Sequence, residues 1–386
     1  MADKTIVIIG SGIAGLTAAE WARKTDPDVK IIMLSENPHL PYHRPRLPGV
    51  IMDPESVERI VLRDEAWYES NKIDLRRGVV VKKIDPKKKT LELTDNKKLS
   101  WDKLILATGS RSFMPPMEGN DLEGVFTLWT LDSALAISDY IKSAKNAVVI
   151  GGGLLGLEVA YALKQRGLHT TILERGTRLL ARQLDERASA MFEEQVDRVG
   201  VHVQKEASTE KIVADPDSGK VKAVLLQDGT ELPADIVVVA TGVRARLELF
   251  DGEEIAIDRR FVTNNKMETS LPDIYAAGDC ALMDGLWYGL WSVATREGKT
   301  AGINAAGGDA VCTIPSPPYL VNTMETRIAS AGNIAPKDSE ISSRIHFDET
   351  QLTYDRRNFL GESLVGYILL GDTTPFSMLS RELQEG

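Results

Sequence analysis

Cysteine is almost missing from these 386 residues: Cys280 and Cys312 are the only two, and they lie far apart. That count excludes a disulfide framework and a cysteine-rich metal site, and it suits a reducing cytoplasm. Long apolar runs are missing too. No stretch approaches the length needed to cross a bilayer, and Ile6-Val7-Ile8-Ile9 runs straight into glycine rather than into a secretory cleavage site. The expectation is a soluble, cytoplasmic protein with no membrane contact. Basic residues are outnumbered, 46 against 56 acidic, and the net charge of −10 argues against nucleic-acid binding. With 43% hydrophobic and 26% charged residues the chain should be packed rather than disordered, and its length fits two or three domains.

What is present is a duplicated pattern. TIVIIGSGIAGLTAAEWARK reads as a buried strand, a glycine turn and a helix, followed by the strand KIIMLSE. From Asn146, AVVIGGGLLGLEVAYALKQRG and TTILERG repeat the same elements, so that Gly10 to Glu36 corresponds to Gly151 to Glu174. A second pair matches as well: LSWDKLILATGS and LPADIVVVATGV each carry an aspartate, an apolar strand and an Ala-Thr-Gly turn. These turns are Ala107-Thr108-Gly109 and Ala240-Thr241-Gly242, where a glycine lets the chain approach a ligand closely. A third strand, DIYAAGD, leads through a tryptophan-containing loop to the helix SVATREGKTAGINAAG. Past the proline-dense PSPPYL, antiparallel strands and a short terminal helix are predicted.

Gly10-Ser11-Gly12-Ile13-Ala14-Gly15 has the G-x-G-x-x-G spacing in the context that gives it meaning, between a strand and a helix. Gly10 permits the tight turn, Gly12 lets backbone reach a pyrophosphate, and Gly15 lets helix and strand pack closely. Glu36 is placed to accept hydrogen bonds from a ribose diol. The second loop, with Gly151, Gly153, Leu155 and Gly156, ends in Glu174, whose carboxylate favours NADH over NADPH because it repels a 2′-phosphate. Arg175, Arg178 and Arg182 nearby keep NADPH as the lesser alternative. Asp279, ending DIYAAGD, is placed for a ribityl hydroxyl and also to cap a helix beginning near Cys280. Cys280 itself is expected to be a packed, inert small residue. Lys87-Lys88-Lys89, Lys97-Lys98 and Arg356-Arg357 are the basic clusters that could steer an acidic partner.

Taken together these motifs resemble the FAD-dependent pyridine nucleotide-disulfide oxidoreductase superfamily over essentially the whole chain. The resemblance implies an α/β fold of two Rossmann-like βαβ nucleotide-binding domains, one inserted in the other, plus a small α+β C-terminal interface domain. The implied boundaries are 1–112 and 241–312 for FAD, 113–240 for NAD, and 313–386 for the interface domain. The loop SENPHLPYHRPRL resembles the rubredoxin, ferredoxin and nitrite reductase branch and apoptosis-inducing factor. By that match Arg44 would meet the FAD pyrophosphate, Glu36 and Asn37 the adenosine, and Val81 the adenine through its backbone. Ser292 and Val293 would lie near the isoalloxazine and Glu158 near the nicotinamide.

The departures from the family pattern narrow the chemistry. No cysteine precedes Cys280, so neither the disulfide pair nor the single cysteine of peroxidase and oxidase relatives is present, and thiolate chemistry at the flavin is excluded. Trp129 stands where ferredoxin reductases have arginine, and Thr326 where they have an aromatic residue. The NADH:rubredoxin oxidoreductase group is closest, sharing LPYHRPRL, RQLD, METS and LVGYILLGD. The implied activity is hydride transfer from NADH to FAD, then single electrons to a separate rubredoxin or similar small iron protein, since two cysteines cannot hold an iron–sulfur module. Alternatives are an NADH oxidase or diaphorase, and an NADH-sensing flavoprotein that acts through partner binding. The chain is expected to be a monomer or homodimer.

Overall fold

The computed structural model describes residues 4–250 and 254–385. They form two compact units. One gathers the described residues of Met1–Pro45, Val57–Arg111 and Val243–Ile314; the other gathers those of Arg46–Ser56, Ser112–Gly242 and Pro315–Gly386.

In the first unit, five parallel strands stand in the order Ile274–Ala276, Lys103–Leu106, Thr5–Ile9, Lys30–Ser35, Ile73–Arg77. Ile6, Val7 and Ile8 of the central strand are wholly buried, which is why that strand reads as a continuous apolar run rather than an alternating one. The helix Ile13–Thr25 follows the first glycine loop. The helix Trp291–Ala305 lies against it, and small residues set how closely. A Cβ at Gly298 would fall 2.2 Å from the Ala14 carbonyl oxygen, and one at Gly302 would fall 2.2 Å from that of Ala18. A three-stranded antiparallel sheet, Val81–Asp85, Thr90–Leu93 and Lys98–Ser100, completes the unit's main elements.

The second unit repeats the parallel arrangement: His202–Gln204, His169–Leu173, Asn146–Ile150, Ile236–Val239 and Val125–Phe126. The aspartate repeated in sequence has the same work in both. Asp102 accepts from the backbone N–H of Thr5 (2.7 Å), and Asp235 accepts from those of Lys145 and Asn146 (2.8 Å each), so each carboxylate fixes the start of its central strand. The duplicated βαβ pattern is thus built as the sequence implies.

The C-terminal segment supplies a five-stranded antiparallel sheet in the order Tyr319–Thr323, Thr326–Gly332, Ser363–Leu370, Thr353–Leu360, Ile341–Asp348. Its helix Phe376–Glu385 buries Leu379 and Leu383. This sheet is tied to the parallel part of the same unit through Asp185. One carboxylate oxygen caps the helix Glu186–Val199 at Ala188 N (2.9 Å); the other accepts from Tyr354 Oη and from Arg356, both at 2.7 Å. Arg356 is therefore not a free surface cation, and Arg357 is held by Asp355. The pair that could steer an acidic partner therefore already faces carboxylates within its own unit. Lys88, Lys89 and Lys97 also face carboxylates, those of Asp85, Asp273 and Asp95.

Candidate functional site

The first glycine loop is sterically determined. Gly10 has φ +108°, and a Cβ there would fall 2.0 Å from the Ala107 carbonyl oxygen; a Cβ at Gly15 would fall 2.0 Å from that of Gly10. No side chain fits at either place. Gly12 differs: its backbone is extended and a Cβ would meet nothing within 4 Å. Gly12 therefore leaves open space at the N-terminus of a 13-residue helix with no acidic residue in its first turn and no side-chain cap. Exposed backbone N–H groups at the positive end of a helix dipole, with clearance in front, fit a diphosphate.

Around that loop the same unit assembles most of the residues expected for FAD. Glu36 is held by Arg246 through both oxygens, at 2.7 and 2.8 Å. Asn37 accepts from His39 N and donates to Tyr42 Oη. Arg44 is half-buried; burial pulls its pKa down, while the negative fields of Tyr42, Asp279 and Glu36 act to raise it and Arg246 acts with burial. Glu36, Arg44, Arg246 and Asp279 thus share one electrostatic neighbourhood. In the turn Ala107-Thr108-Gly109, Ala107 N donates to Ile9 O, Thr108 Oγ1 donates to Arg246 O, and Gly109 has φ +68°. Val81 is buried at the start of its strand, opposite Leu93. Ser292 is exposed and Val293 buried in the first turn of the helix Trp291–Ala305, where the Trp291 ring lies 4.4 Å from that of His43.

Asp279 accepts from Ser110 Oγ at 2.6 Å. It caps no helix, because the segment that follows is the strand Ala281–Met283, paired with Phe261–Thr263. That corrects the second role expected from sequence. The turn before it is held by a residue that sequence reasoning missed. Gly278, at φ +81°, donates its N–H to Glu297 Oε2 at 2.7 Å, and Glu297 is only 4% exposed. Burial pushes the Glu297 carboxyl up to about 8, with Asp279 adding to the rise and the Gly278 hydrogen bond opposing it. The signal in the sequence was its neighbour Gly298, which marks this face of the helix as the packed one. Arg246 and Ser110 carried no comparable signal.

Cys280 is fully buried, and its Sγ donates to Leu106 O (3.3 Å) and Ala277 O (3.4 Å); burial raises its thiol pKa. Cys312 is pushed up to about 11 by the same cause. Neither is a ready thiolate.

The second unit holds the residues expected for NADH. Gly151 has φ +118°, and its Cβ would fall 2.5 Å from Ala240 O; a Cβ at Gly156 would fall 1.9 Å from Gly151 O; Gly153 faces open space. Leu155 is half-buried in the first turn of the helix Leu154–Gln165. Glu174 accepts from Gly152 N (2.8 Å) and Gly176 N (2.6 Å), so the glycine loop itself fixes its carboxylate. Of the nearby arginines, Arg178 reaches Ala181 O and faces Glu186. Gly242, at φ +105°, has open space at its Cβ and accepts from Phe113 N. Glu158 is half-buried in the helix, and desolvation pushes its carboxyl up to about 7.

Comparison with known proteins accords with this geometry. Residues 4–298 match the family described as pyridine nucleotide-disulphide oxidoreductase. The chain is 33% identical to the nitrite reductase [NAD(P)H] of Bacillus subtilis (strain 168), over 99% of this chain and 48% of that protein, so it spans about half the length of that relative. It is 33% identical to the NADH-rubredoxin oxidoreductase of Clostridium acetobutylicum, over 86% of this chain and 83% of the relative. The crystal structure of NADH:rubredoxin oxidoreductase from the same organism superposes with a TM-score of 0.81 at 30% identity, covering 99% of this chain and 94% of the other. Among the described residues no helix is long and apolar enough to cross a membrane.

Proposed function

We propose that this chain, which belongs to the pyridine nucleotide-disulphide oxidoreductase family, is an NADH-dependent FAD oxidoreductase that delivers electrons singly to rubredoxin or a similar small iron protein. When bound, FAD supplies the chemistry that links a two-electron donor to one-electron acceptors. The observation that carries the reading is the burial of both thiols: Cys280 and Cys312 are enclosed with raised pKa values, so no side chain here is equipped to relay electrons as a thiolate–disulfide couple. The acceptor then lies outside these residues.

In this reading segments 1–112 and 241–312 form the FAD domain. The N-terminus of the helix Ile13–Thr25 faces the diphosphate together with Arg44, Glu36 takes the ribose diol, and Asp279 takes a ribityl hydroxyl. Segment 113–240 holds NADH. Glu174, fixed by two backbone N–H groups, presents its remaining lone pairs to a ribose diol and repels a 2′-phosphate. Glu158 orients the nicotinamide; no side chain has to give or take a proton in the hydride step. Segment 313–386 is the interface domain.

The test is anaerobic reduction of the purified protein by NADH, followed by a comparison of rubredoxin, ferredoxin, oxygen and a dye as acceptors. Rapid turnover with rubredoxin at concentrations where the others are slow is the expected result. Faster turnover with oxygen would assign an oxidase, and slow flavin reduction accompanied by a change of oligomeric state would assign a sensor.

A further inference from the structure

Glu36 and Arg246 are 210 residues apart in sequence and belong to the same compact unit. Glu36 follows the strand Lys30–Ser35, at the edge of the first glycine loop. Arg246 is fixed before its side chain is considered. Its backbone N–H donates to Gly109 O at 3.0 Å, and its carbonyl accepts from Thr108 Oγ1 at 2.8 Å. These two residues belong to the turn that begins with Ala107, whose carbonyl oxygen excludes a side chain at Gly10. The turn that shapes the glycine loop therefore also sets where the Arg246 guanidinium starts.

From there the guanidinium forms a two-pronged fork onto the carboxylate, with Nη1 to Oε1 at 2.7 Å and Nη2 to Oε2 at 2.8 Å. Both side chains keep substantial exposure, 35% for Arg246 and 48% for Glu36, so the pair contributes little to folding stability. What a fork does well is fix the plane of a carboxylate. The fork takes the two convergent lone pairs, one on each oxygen, and the remaining two point outward on opposite sides of the carboxylate, so each oxygen keeps one acceptor direction fixed in the plane of the fork. One such acceptor can receive a ribose hydroxyl.

We propose that Arg246 is a positioning residue of the FAD site, holding Glu36 so that a free lone pair of its carboxylate meets a hydroxyl of the ribose in the adenosine half. The inference rests on the reading that Glu36 takes that ribose. Arg246 is assigned to positioning rather than to the phosphate beside Arg44 because its charge is already matched by both oxygens of Glu36.

The experiment follows FAD release from the holoenzyme by flavin fluorescence. Arg246→Ala is expected to weaken FAD retention by roughly tenfold to thirtyfold, and Arg246→Lys, which keeps the charge and loses the fork, by at least ~threefold. Arg246→Ala added to Glu36→Gln should cost less than about threefold more, since one interaction is being removed twice. The exchanged pair Glu36→Arg with Arg246→Glu rebuilds the ion pair but moves the carboxylate, and should not regain FAD. Retention at parent level in Arg246→Lys, multiplying effects in the double variant, or recovery in the exchanged pair would each overturn the proposal. If Glu36→Gln alone keeps FAD, the assignment of Glu36 to the ribose fails first; a weakened Glu36→Gln beside an unaffected Arg246→Ala removes Arg246 alone.

Discussion

Replacing Glu297 by glutamine keeps an acceptor for the Gly278 N–H and deletes one titration, so its effect should appear as a pH dependence. Burial raises the Glu297 carboxyl to about 8 from an ordinary 4.5, and the group is almost wholly enclosed. Between those two values the folded chain binds a proton that the unfolded chain has released. Stability from this residue is therefore fully present below 4.5 and is lost as pH rises towards 8. The slope is ~1.4 kcal/mol per pH unit. By pH 7 that amounts to roughly 3 kcal/mol. Parent and Glu297→Gln should then be similar at pH 5, with the glutamine variant gaining steadily up to pH 8. Urea unfolding of the FAD-saturated chain, followed by flavin release so that the first unit is observed, measures the difference between the two proteins and cancels the titrations they share. Parallel stability curves from pH 5 to pH 8, or a parent that gains on the variant as pH rises, would refute the assignment of a buried neutral acid.

Two glycines of the same loop should separate folding from binding. Gly15→Ala, whose Cβ would fall 2.0 Å from the Gly10 carbonyl, should prevent assembly of the unit, whereas Gly12→Ala, with nothing within 4 Å, should fold and bind FAD at least ~tenfold more weakly, as read by circular dichroism and flavin content. Glu174→Ala leaves two backbone N–H groups without their acceptor and removes the ribose contact; the KM for NADH should rise on the order of tenfold to a hundredfold, and the ratio of NADH to NADPH efficiency should fall towards one. Asp185→Ala strands the largely buried Arg356 and uncaps the helix Glu186–Val199, for a loss of about 3–5 kcal/mol in urea unfolding of the second unit, with FAD content unchanged.

How much of this was legible beforehand depended on how local each constraint is. Gly15 is required by the Gly10 carbonyl of its own loop and Gly10 by its own positive φ, with the distant Ala107 carbonyl adding to the constraint, so their spacing identified the loop and its open side at Gly12. The strands flanking it, buried on both faces, were legible as apolar runs for the same reason. Asp279 shows where local reasoning fails. An aspartate after glycine is a good helix cap, but the residues that follow are drawn into a strand by pairing Phe261 with Ala281 and Thr263 with Met283. Arg356 looked like surface charge because the carboxylate it pairs with is not its sequence neighbour Asp355, which holds Arg357, but Asp185, 171 residues away.

The two acids that end the duplicated signature show the limit most clearly. Glu36 and Glu174 occupy equivalent places after equivalent strands, and sequence gives both the same role. Glu174 is immobilised by its own loop, through N–H groups of Gly152 and Gly176, so its geometry follows from residues inside the motif. Glu36 takes its orientation from Arg246, which the chain brings back only after passing through Ser112–Gly242 of the second unit. Substitution at position 246 should therefore leave the first motif intact as a sequence while altering the acceptor it presents. A carboxylate at the motif position marks a ribose site, but what holds that carboxylate has to be read from the fold.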